Sequence, residues 1–516
     1  MSKTTFILTS LLLTACCIAA CGQASDPTTT SMSVIYRGNG GAPGSLDPAL
    51  AEDIHAFNIL TDLYEGLVTL SADGLLEPGV AKSWSVSEDG LTYTFALRED
   101  ALWSNGERVT ADHFVTSYRR VTAPTSTSAY AFLLDPVREF VAIDDSTLKI
   151  QLIEPAPHLL AVLSMSVAFP VPVVEIDSEA FVNPDKFVGN GAYLLSDREA
   201  GGAIRLRRNP YYREAVAIDE IVYLPIVEPL TELNLFRAGE LDITHSVPTE
   251  RIGTLRQDMP DALRIAPLLA LYYLAFDLTE PPLDDARLRQ ALSMAIDRRQ
   301  LVELIGRGER PAFGVVPDGI AGYEGAEFKW RDMGDKERRA KALALYNEAG
   351  YDETAPLTIK YTYDTGDIHE KIALAVSSMW RDVLGVDVQL EKKEWQYFLD
   401  TRDQRSDWQV MRFAWYGDYN HASTFTNIFR STDEQNLPRF NNPGYDSLLA
   451  AASRERDSVR QAELLAKAEA LLLDEHPVAP LYFYVSKHLV APRIGGFEHN
   501  ALDRHPSRFL YLEADD

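Results

Sequence analysis

Residues 412–425 read RFAWYGDYNHASTF, and the rest of the chain is organised around this stretch. The apolar and aromatic residues at 408–416 predict an extended strand, which Gly417 ends. Asp418 then lies just beyond the end of that strand. The aromatic side chains next to it are those of Trp415, Tyr416 and Tyr419. A carboxylate beside such low-dielectric walls attracts a cation more strongly than one in open water.

Arg412 precedes this carboxylate on the same predicted strand. A strand with a positive group at one end and a negative group at the other suits an extended zwitterion, and a short peptide is such a ligand. The alternative is that Asp418 is a turn residue bonded to its own backbone and that Arg412 is a solvated strand residue. On these residues alone the turn interpretation is the commoner one.

The composition limits the class of protein. The chain has 516 residues, 46% of them hydrophobic, so large cores can form, and its length suits about three domains. It carries 49 Lys and Arg against 76 Asp and Glu, a formal net charge of -27. This charge repels nucleic-acid phosphates and leaves no basic surface for anionic lipid, so we expect neither as a partner.

All the cysteines lie near the N-terminus, at Cys16, Cys17 and Cys21. The remaining chain therefore has no thiol for a disulfide, a nucleophile or a thiolate metal site. A short positive start followed by an apolar run at 6–20 predicts an export signal, because the run is too short for a good transmembrane helix. We therefore expect the protein to leave the cytoplasm.

Two tetrapeptides in this run resemble the bacterial lipobox, LTAC ending at Cys16 and IAAC ending at Cys21. We favour Cys21 as the lipidated residue, because the apolar run continues through Ile18 and the chain turns polar directly after Cys21. Residues 1–21 are then a signal peptide with a lipobox, and 22–33 a flexible tether. The alternative is an ordinary signal peptide whose cysteines are apolar filler.

The pattern of the body changes at about residue 276. Before it, predicted strands dominate; after it, helices and strands alternate, which predicts an α/β lobe with a partly parallel sheet. The first long helix after the change is predicted at 286–299. Two apolar strands, at 271–276 and 478–485, are plausible crossings between lobes.

Several short motifs occur in one order along the chain. They are VAKSW at 80–84, DGLTYTF at 89–95, WSNG at 103–106, TAD at 110–112, GNGAY at 189–193, GELD at 239–242 and EAGY at 348–351. In this order and spacing they resemble the bacterial periplasmic oligopeptide-binding proteins, extracellular solute-binding proteins of family 5 that serve peptide ABC transporters. The resemblance runs from about Val34 to the C-terminus.

The resemblance implies an α/β fold, a two-lobed periplasmic-binding-protein clamp (type II, cluster C) with an extra inserted domain. Domain I would comprise residues 34–64, 184–275 and 490–516. Domain II would be the insertion at 65–183, and domain III would be 276–489. A peptide would lie extended between the lobes and pair its backbone with protein strands, which gives affinity without reading side chains.

The resemblance also implies a set of ligand-binding residues. Asp418 stands where the family binds the peptide α-ammonium, and Trp415, Tyr416 and Gly417 form the matching strand. Arg412 and His369 occupy positions that meet peptide carboxylates, Glu52 is another pocket position, and Trp395 matches a pocket wall. The family lysine that helps to hold a longer peptide's carboxylate falls in a gap at 304–308, where Arg307 would substitute.

The implied function is the capture of oligopeptides and their delivery to an ABC permease and ATPase complex, without cofactor, by a monomer in the periplasm or lipid-anchored at the cell envelope. Murein peptides, nickel and oligosaccharides are alternatives within the same fold. A secreted hydrolase is the alternative from another class, but the chain has no Gly-x-Ser-x-Gly motif and no paired histidines after His369-Glu370. The ten histidines are scattered along the sequence, so we expect no metal site.

Overall fold

The computed structural model describes residues 32–172, 178–320 and 322–513. The predicted signal peptide, Cys16 and Cys21 lie outside these ranges. Within them, no helix is both long enough and apolar enough to cross a membrane.

The first lobe contains a four-stranded sheet near the start of the described chain. In sheet order its strands are Val34–Gly38, Glu220–Leu224, Ile204–Arg208 and Tyr193–Arg198. The first pair is parallel and the others are antiparallel. Helix Ile54–Leu63 follows the strand Val34–Gly38 in sequence, and helix Pro229–Ala238 follows the strand Glu220–Leu224. The first of them begins where the Asp53 side chain accepts a hydrogen bond from the Ala56 amide, as an N-cap does.

A second four-stranded sheet, fully antiparallel, falls within the range expected for domain II. Its strands are Ala81–Val86, Thr92–Leu97, Thr147–Leu152 and Val137–Asp144. The hairpin between its first two strands turns through Gly90, whose φ of 72° favours glycine. Helix Ala111–Val121 covers this sheet, and a small hairpin, Val68–Leu70 with Leu76–Pro78, precedes it.

The second lobe is built on a six-stranded sheet. In order its strands are Arg310–Pro311, Val478–Leu489, Leu263–Phe276, Val410–Tyr416, Thr358–Asp364 and Asp387–Lys393. The last three pair in parallel and the others are antiparallel. The prediction of a partly parallel sheet is therefore confirmed, and the strand expected at 408–416 is present at Val410–Tyr416.

Helices pack around this sheet and connect its strands. They are Ala286–Ala295, Arg298–Ile305, Asp335–Glu348, Asp367–Leu384, Trp395–Gln404, Ser423–Thr426, Pro443–Arg454 and Ser458–Glu475. The single helix predicted at 286–299 is wrong, because Ile296 is extended and Asp297 starts a new helix by accepting a hydrogen bond from the Gln300 amide. A local N-cap thus prevails over the apolar periodicity.

The two long strands Leu263–Phe276 and Val478–Leu489 connect the lobes. They pair antiparallel, with a register shift between Pro267 and Leu271. At their far end, the Leu489 amide donates to Thr244 Oγ1 at 2.8 Å, which ties the strand to the first lobe. The predicted crossings at 271–276 and 478–485 fall within these two strands. The domain ranges remain a prediction.

The apolar core divides along the same line. One large cluster fills the first lobe and the 81–152 sheet, and a second fills the lobe of the six-stranded sheet. Tyr419 is an exception, since it follows a strand of the second lobe but is buried in the cluster of the first. The residues around Asp418 therefore lie at the junction of the two lobes.

Candidate functional site

The strand Val410–Tyr416 determines where the candidate residues lie. It pairs with Leu263–Phe276, so that Arg412 lies opposite Leu274 and Tyr416 opposite Ala270. Because strand side chains alternate, Arg412 and Tyr416 point to one face of the sheet and Trp415 points to the other. At the strand end, the Gly417 amide donates to the Leu269 carbonyl at 2.7 Å.

Thr424 fixes the turn that carries Asp418. Its Oγ1 accepts hydrogen bonds from the Asp418 amide at 3.2 Å and from Trp415 Nε1 at 3.4 Å. The next side chain, Tyr419, stacks on His158 of the first lobe with ring centroids 5.0 Å apart. The turn is thus held against the first lobe.

Two side chains outside the second lobe, Arg504 and Tyr130, lie within electrostatic range of the Asp418 carboxylate. Burial raises its pKa, and the positive charge of Arg504 opposes that rise. In turn, burial and the negative charges of Asp418 and Glu52 raise the pKa of Tyr130. A bound cation would stabilise this carboxylate further, because the effect of Arg504 on its pKa does not offset that of burial.

At the other end of the strand, Arg412 is buried and forms an ion pair with buried Asp364. The ring centroids of Trp395 and Phe398 lie 5.9 and 5.0 Å from its guanidinium carbon. The solvated strand arginine of the alternative interpretation is therefore wrong, because Asp364 compensates its charge inside the protein. Trp395 remains 47% exposed, so this group of residues borders on solvent.

His369 completes the group around Arg412. Its Nδ1 lies 3.2 Å from Tyr272 Oη, and its Nε2 lies 4.0 Å from an Asp364 carboxylate oxygen. Burial and the charges of Arg412 and Arg307 lower its pKa to about 4, against the opposing effect of Asp364. His369 is therefore neutral at pH 7.

A row of tyrosines joins the two ends of the site, and sequence reasoning missed it. Ring centroids are 4.8 Å apart for Tyr272 and Tyr482, 5.0 Å for Tyr482 and Tyr484, and 5.2 Å for Tyr484 and Tyr416. Tyr416 is 55% exposed. The alternating Tyr-Phe-Tyr at 482–484 was the signal in the sequence, since residues two apart in a strand share a face.

One edge of the strand is unpaired near its end. The neighbouring strand Thr358–Asp364 pairs with it only at Val410 and Met411. From Phe413 to Tyr416, that edge has no strand partner among the described residues. An unpaired edge offers backbone N–H and C=O groups to an added strand.

The predicted residues thus form two groups. Asp418 and Gly417 lie at the lobe junction, with Glu52 in electrostatic range of the same Tyr130. Arg412 and His369 form the second group, next to Asp364. Trp395 lies against Arg412, and Arg307 is within electrostatic range of His369. Tyr416 belongs to the tyrosine row between them, and Trp415 supports the turn from the opposite face.

Comparison with known proteins identifies the family of this chain. The model of "Bacterial extracellular solute-binding proteins, family 5 Middle" matches residues 76–436. The chain belongs to family 5 of the bacterial extracellular solute-binding proteins. This family consists of binding proteins rather than enzymes.

The chain is 36% identical over 509 residues to the periplasmic oligopeptide-binding protein OppA of Escherichia coli K12, covering 94% of this chain and 93% of that one. Among solved structures, the unliganded open form of the murein tripeptide-binding protein MppA superposes with a TM-score of 0.87 at 35% identity, over 93% and 98% of the chains. The complex of Haemophilus influenzae OppA with RPPGFSPFR superposes with a TM-score of 0.72 at 32% identity, covering 93% of this chain and 99% of that one. The predicted two-lobed clamp is confirmed.

The histidines are scattered along the sequence, but the fold brings several of them together. His488 and His505 both lie against Asp503, close to His245 and His499. Residues from separate segments meet here because the C-terminal segment packs on the end of the strand Val478–Leu489.

Proposed function

We propose that this solute-binding protein captures oligopeptides between its two lobes and delivers them to the permease of an ABC importer. The observation that carries the proposal is the position of Asp418. Its partly buried carboxylate lies at the lobe junction, next to the unpaired edge of the strand Val410–Tyr416. A peptide with its α-ammonium bound there would run its backbone along this edge.

Main-chain pairing would supply most of the affinity. An added strand gains hydrogen bonds whichever side chains it carries, so such a site accepts many sequences. The tyrosine row offers flat apolar faces to those side chains. The length of the site also suits a short peptide, because the four residue steps from Arg412 to Tyr416 span about 13 Å, roughly the length of four extended residues.

Peptide carboxylates would meet the group around Arg412. Its Nε and Nη2 are bonded to Asp364, but a guanidinium has five N–H donors, so others remain for a ligand. Arg307 and His369 border the same place. Peptides of different lengths would use different members of this group.

Ligand binding would close the clamp. The TM-score is higher with the unliganded open form of MppA, 0.87, than with the OppA–peptide complex, 0.72, at similar sequence identity. This supports an open arrangement of the lobes in the free protein. A ligand that contacts both lobes favours the closed state by its extra affinity for that state.

The remaining parts of the proposal concern location and partners. The mature protein would work as a monomer in the periplasm, docking on a permease and ATPase complex in the inner membrane. Lipid attachment at Cys21, with Cys16 as the alternative, falls outside the described residues. Mass spectrometry of the mature N-terminus would tell these two sites apart from a protein without lipid.

Native mass spectrometry of the protein purified from its own cell tests the ligand class. We expect a spread of bound masses that tandem fragmentation identifies as peptides. Calorimetry with di- to hexapeptides of mixed sequence would then give affinities that depend on length more than on sequence. A single bound sugar or metal chelate, together with no heat from any peptide, would refute the proposal.

Murein tripeptide is the second candidate, because the solved relative with a TM-score of 0.87 is a murein tripeptide-binding protein. Such a ligand also carries a free amine for Asp418. If murein tripeptide binds far more tightly than all ordinary peptides of the same length, the ligand is murein peptide.

A further inference from the structure

Three side chains with metal-ligating atoms meet where the strand Val478–Leu489 enters the first lobe. His488 Nε2 lies 2.8 Å and His505 Nε2 3.1 Å from the same oxygen, Oδ1 of Asp503. All three atoms lie within 4.8 Å of one another. None of these residues belongs to the site described above.

The hydrogen bond made by the other ring nitrogen of His488, Nδ1, indicates what lies between His488 Nε2 and Asp503 Oδ1. His488 Nδ1 is 2.8 Å from the Thr244 carbonyl oxygen, which can only accept, so Nδ1 carries a hydrogen. If His488 is neutral, its Nε2 therefore presents a lone pair to a carboxylate oxygen. Two acceptors at 2.8 Å need a cation between them, and this cation is either a proton or a metal ion.

We propose that His488, Asp503 and His505 bind a divalent transition-metal ion, with zinc as the best match. Two imidazoles and one carboxylate are a ligand set that zinc takes in proteins, with a water molecule in the remaining position. Zinc–ligand bonds of about 2.0–2.1 Å in a tetrahedron separate the ligand atoms by about 3.3 Å. The present contacts of 2.8 and 3.1 Å would each open by only a few tenths of an ångström.

The surroundings have further features of a metal site. The bond from His488 Nδ1 to a backbone carbonyl is the outer-shell contact that orients metal-bound imidazoles. Phe497 stacks on His505 with ring centroids 3.9 Å apart and contacts His488 edge-on. The side chain of Asp503 is 25% exposed, while those of both histidines are below 10%, so an ion can reach the site from the carboxylate side.

The ion would hold a loop that matters for the peptide site. Arg504 lies between two of the three ligands in sequence, and its charge acts on Asp418. A metal ion bound by Asp503, His505 and His488 together would fix this loop on the strand Val478–Leu489, which connects the lobes.

The experiment uses untagged full-length protein stripped with a chelator. Titration with Co²⁺ is expected to give the strong visible absorption of a four- or five-coordinate ion, and Zn²⁺ is expected to abolish it. His505→Gln and Asp503→Asn should each weaken zinc binding by more than the roughly 10- to 100-fold that loss of an outer-shell partner costs.

His113→Gln is the matched control, because His113 caps a helix with Thr110 and glutamine also serves at that capping position. It should bind zinc as the wild type does. Metal-free thermal unfolding and peptide calorimetry check that the variants fold. If zinc binds equally to the wild type and to folded His505→Gln, or the cobalt spectrum is that of an octahedral ion in both, the cluster is a hydrogen-bonded network and the proposal is overturned. Peptide binding by the metal-free protein leaves the proposed function intact in either case.

Discussion

Burial and a neighbouring charge shift the pKa of Asp418 in opposite directions. Burial favours the protonated acid, whereas the guanidinium of Arg504 favours the carboxylate. A bound peptide ammonium would act in the same direction as Arg504 and also favour the carboxylate. The residue would therefore bind an amine best when it is fully ionised.

Replacing Asp418 with asparagine removes this charge while keeping the size of the side chain. We expect Asp418→Asn to weaken the binding of peptides with a free N-terminus by about 2–5 kcal/mol, roughly 30-fold to several thousand-fold, because one partner of a buried charge pair is lost. Calorimetry of both proteins with one tripeptide measures this. An N-acetylated tripeptide is the control, since it should bind both proteins equally weakly. Equal affinity of the two proteins for the free peptide would refute the amine assignment.

The raised pKa of Asp418 predicts a dependence on pH. Since the free carboxyl protonates above its ordinary 3.8, the affinity for amine-bearing peptides should begin to fall at a higher pH than for an ordinary aspartate. The fall begins as the pH drops through the raised pKa of the free protein, because only the carboxylate attracts the ammonium. Calorimetry from pH 7 to pH 4 with free and N-acetylated peptides tests the sign. A fall of the same size for both peptides would assign the effect to another group.

At the scale of elements, one helix residue organises a long loop of the second lobe. Glu469, on helix Ser458–Glu475, is fully buried. Its carboxylate accepts hydrogen bonds of 2.7–2.9 Å from the amides of Val315, Val316 and Ala326 and from Tyr323 Oη. One carboxylate thus pairs four donors of a segment that has little regular structure.

Glu469→Gln puts an amide NH₂ where two of these donors point. We expect a loss of about 2–4 kcal/mol in the free energy of unfolding, because each unpaired buried donor costs about 1–3 kcal/mol. Urea unfolding followed by circular dichroism measures the change in midpoint. Glu463→Gln, on the exposed face of the same helix, should leave the midpoint unchanged. Equal midpoints for both variants would mean that the loop does not depend on Glu469.

At the scale of the whole molecule, we expect two strands to act as the hinge between the lobes. Leu263–Phe276 and Val478–Leu489 pair along their length, and their register shifts next to Pro267. Proline donates no hydrogen bond, so the ladder lacks a backbone donor at that point. Bending there would turn one lobe against the other without disturbing either core.

Peptide binding should therefore make the molecule more compact. We expect the radius of gyration from small-angle X-ray scattering to fall when a tripeptide saturates the protein, because a ligand between the lobes favours the closed state. Because its affinity should be lower, Asp418→Asn should need a higher peptide concentration for the same fall in the radius of gyration. A radius that stays constant at saturation would show that this protein binds without closing.

Much of the architecture follows from the sequence by itself. The alternation of helices and strands after residue 276, the end of the strand at Gly417 and the position of Asp418 just beyond it are local features. Local features can be predicted because periodicity and turn residues act within a few positions. The family motifs then linked these segments to a two-lobed clamp.

Only the tertiary structure decided which polar and charged side chains contact each other. Asp364 and Arg412 are 48 positions apart, Tyr272 and His369 are 97, and neither pair is implied by any local pattern. The tyrosine row depends on the register between strands from distant segments, and the His488–Asp503–His505 cluster depends on how the C-terminal segment packs. Burial then sets the charge of each group, because desolvation is a property of the whole fold and not of neighbouring residues.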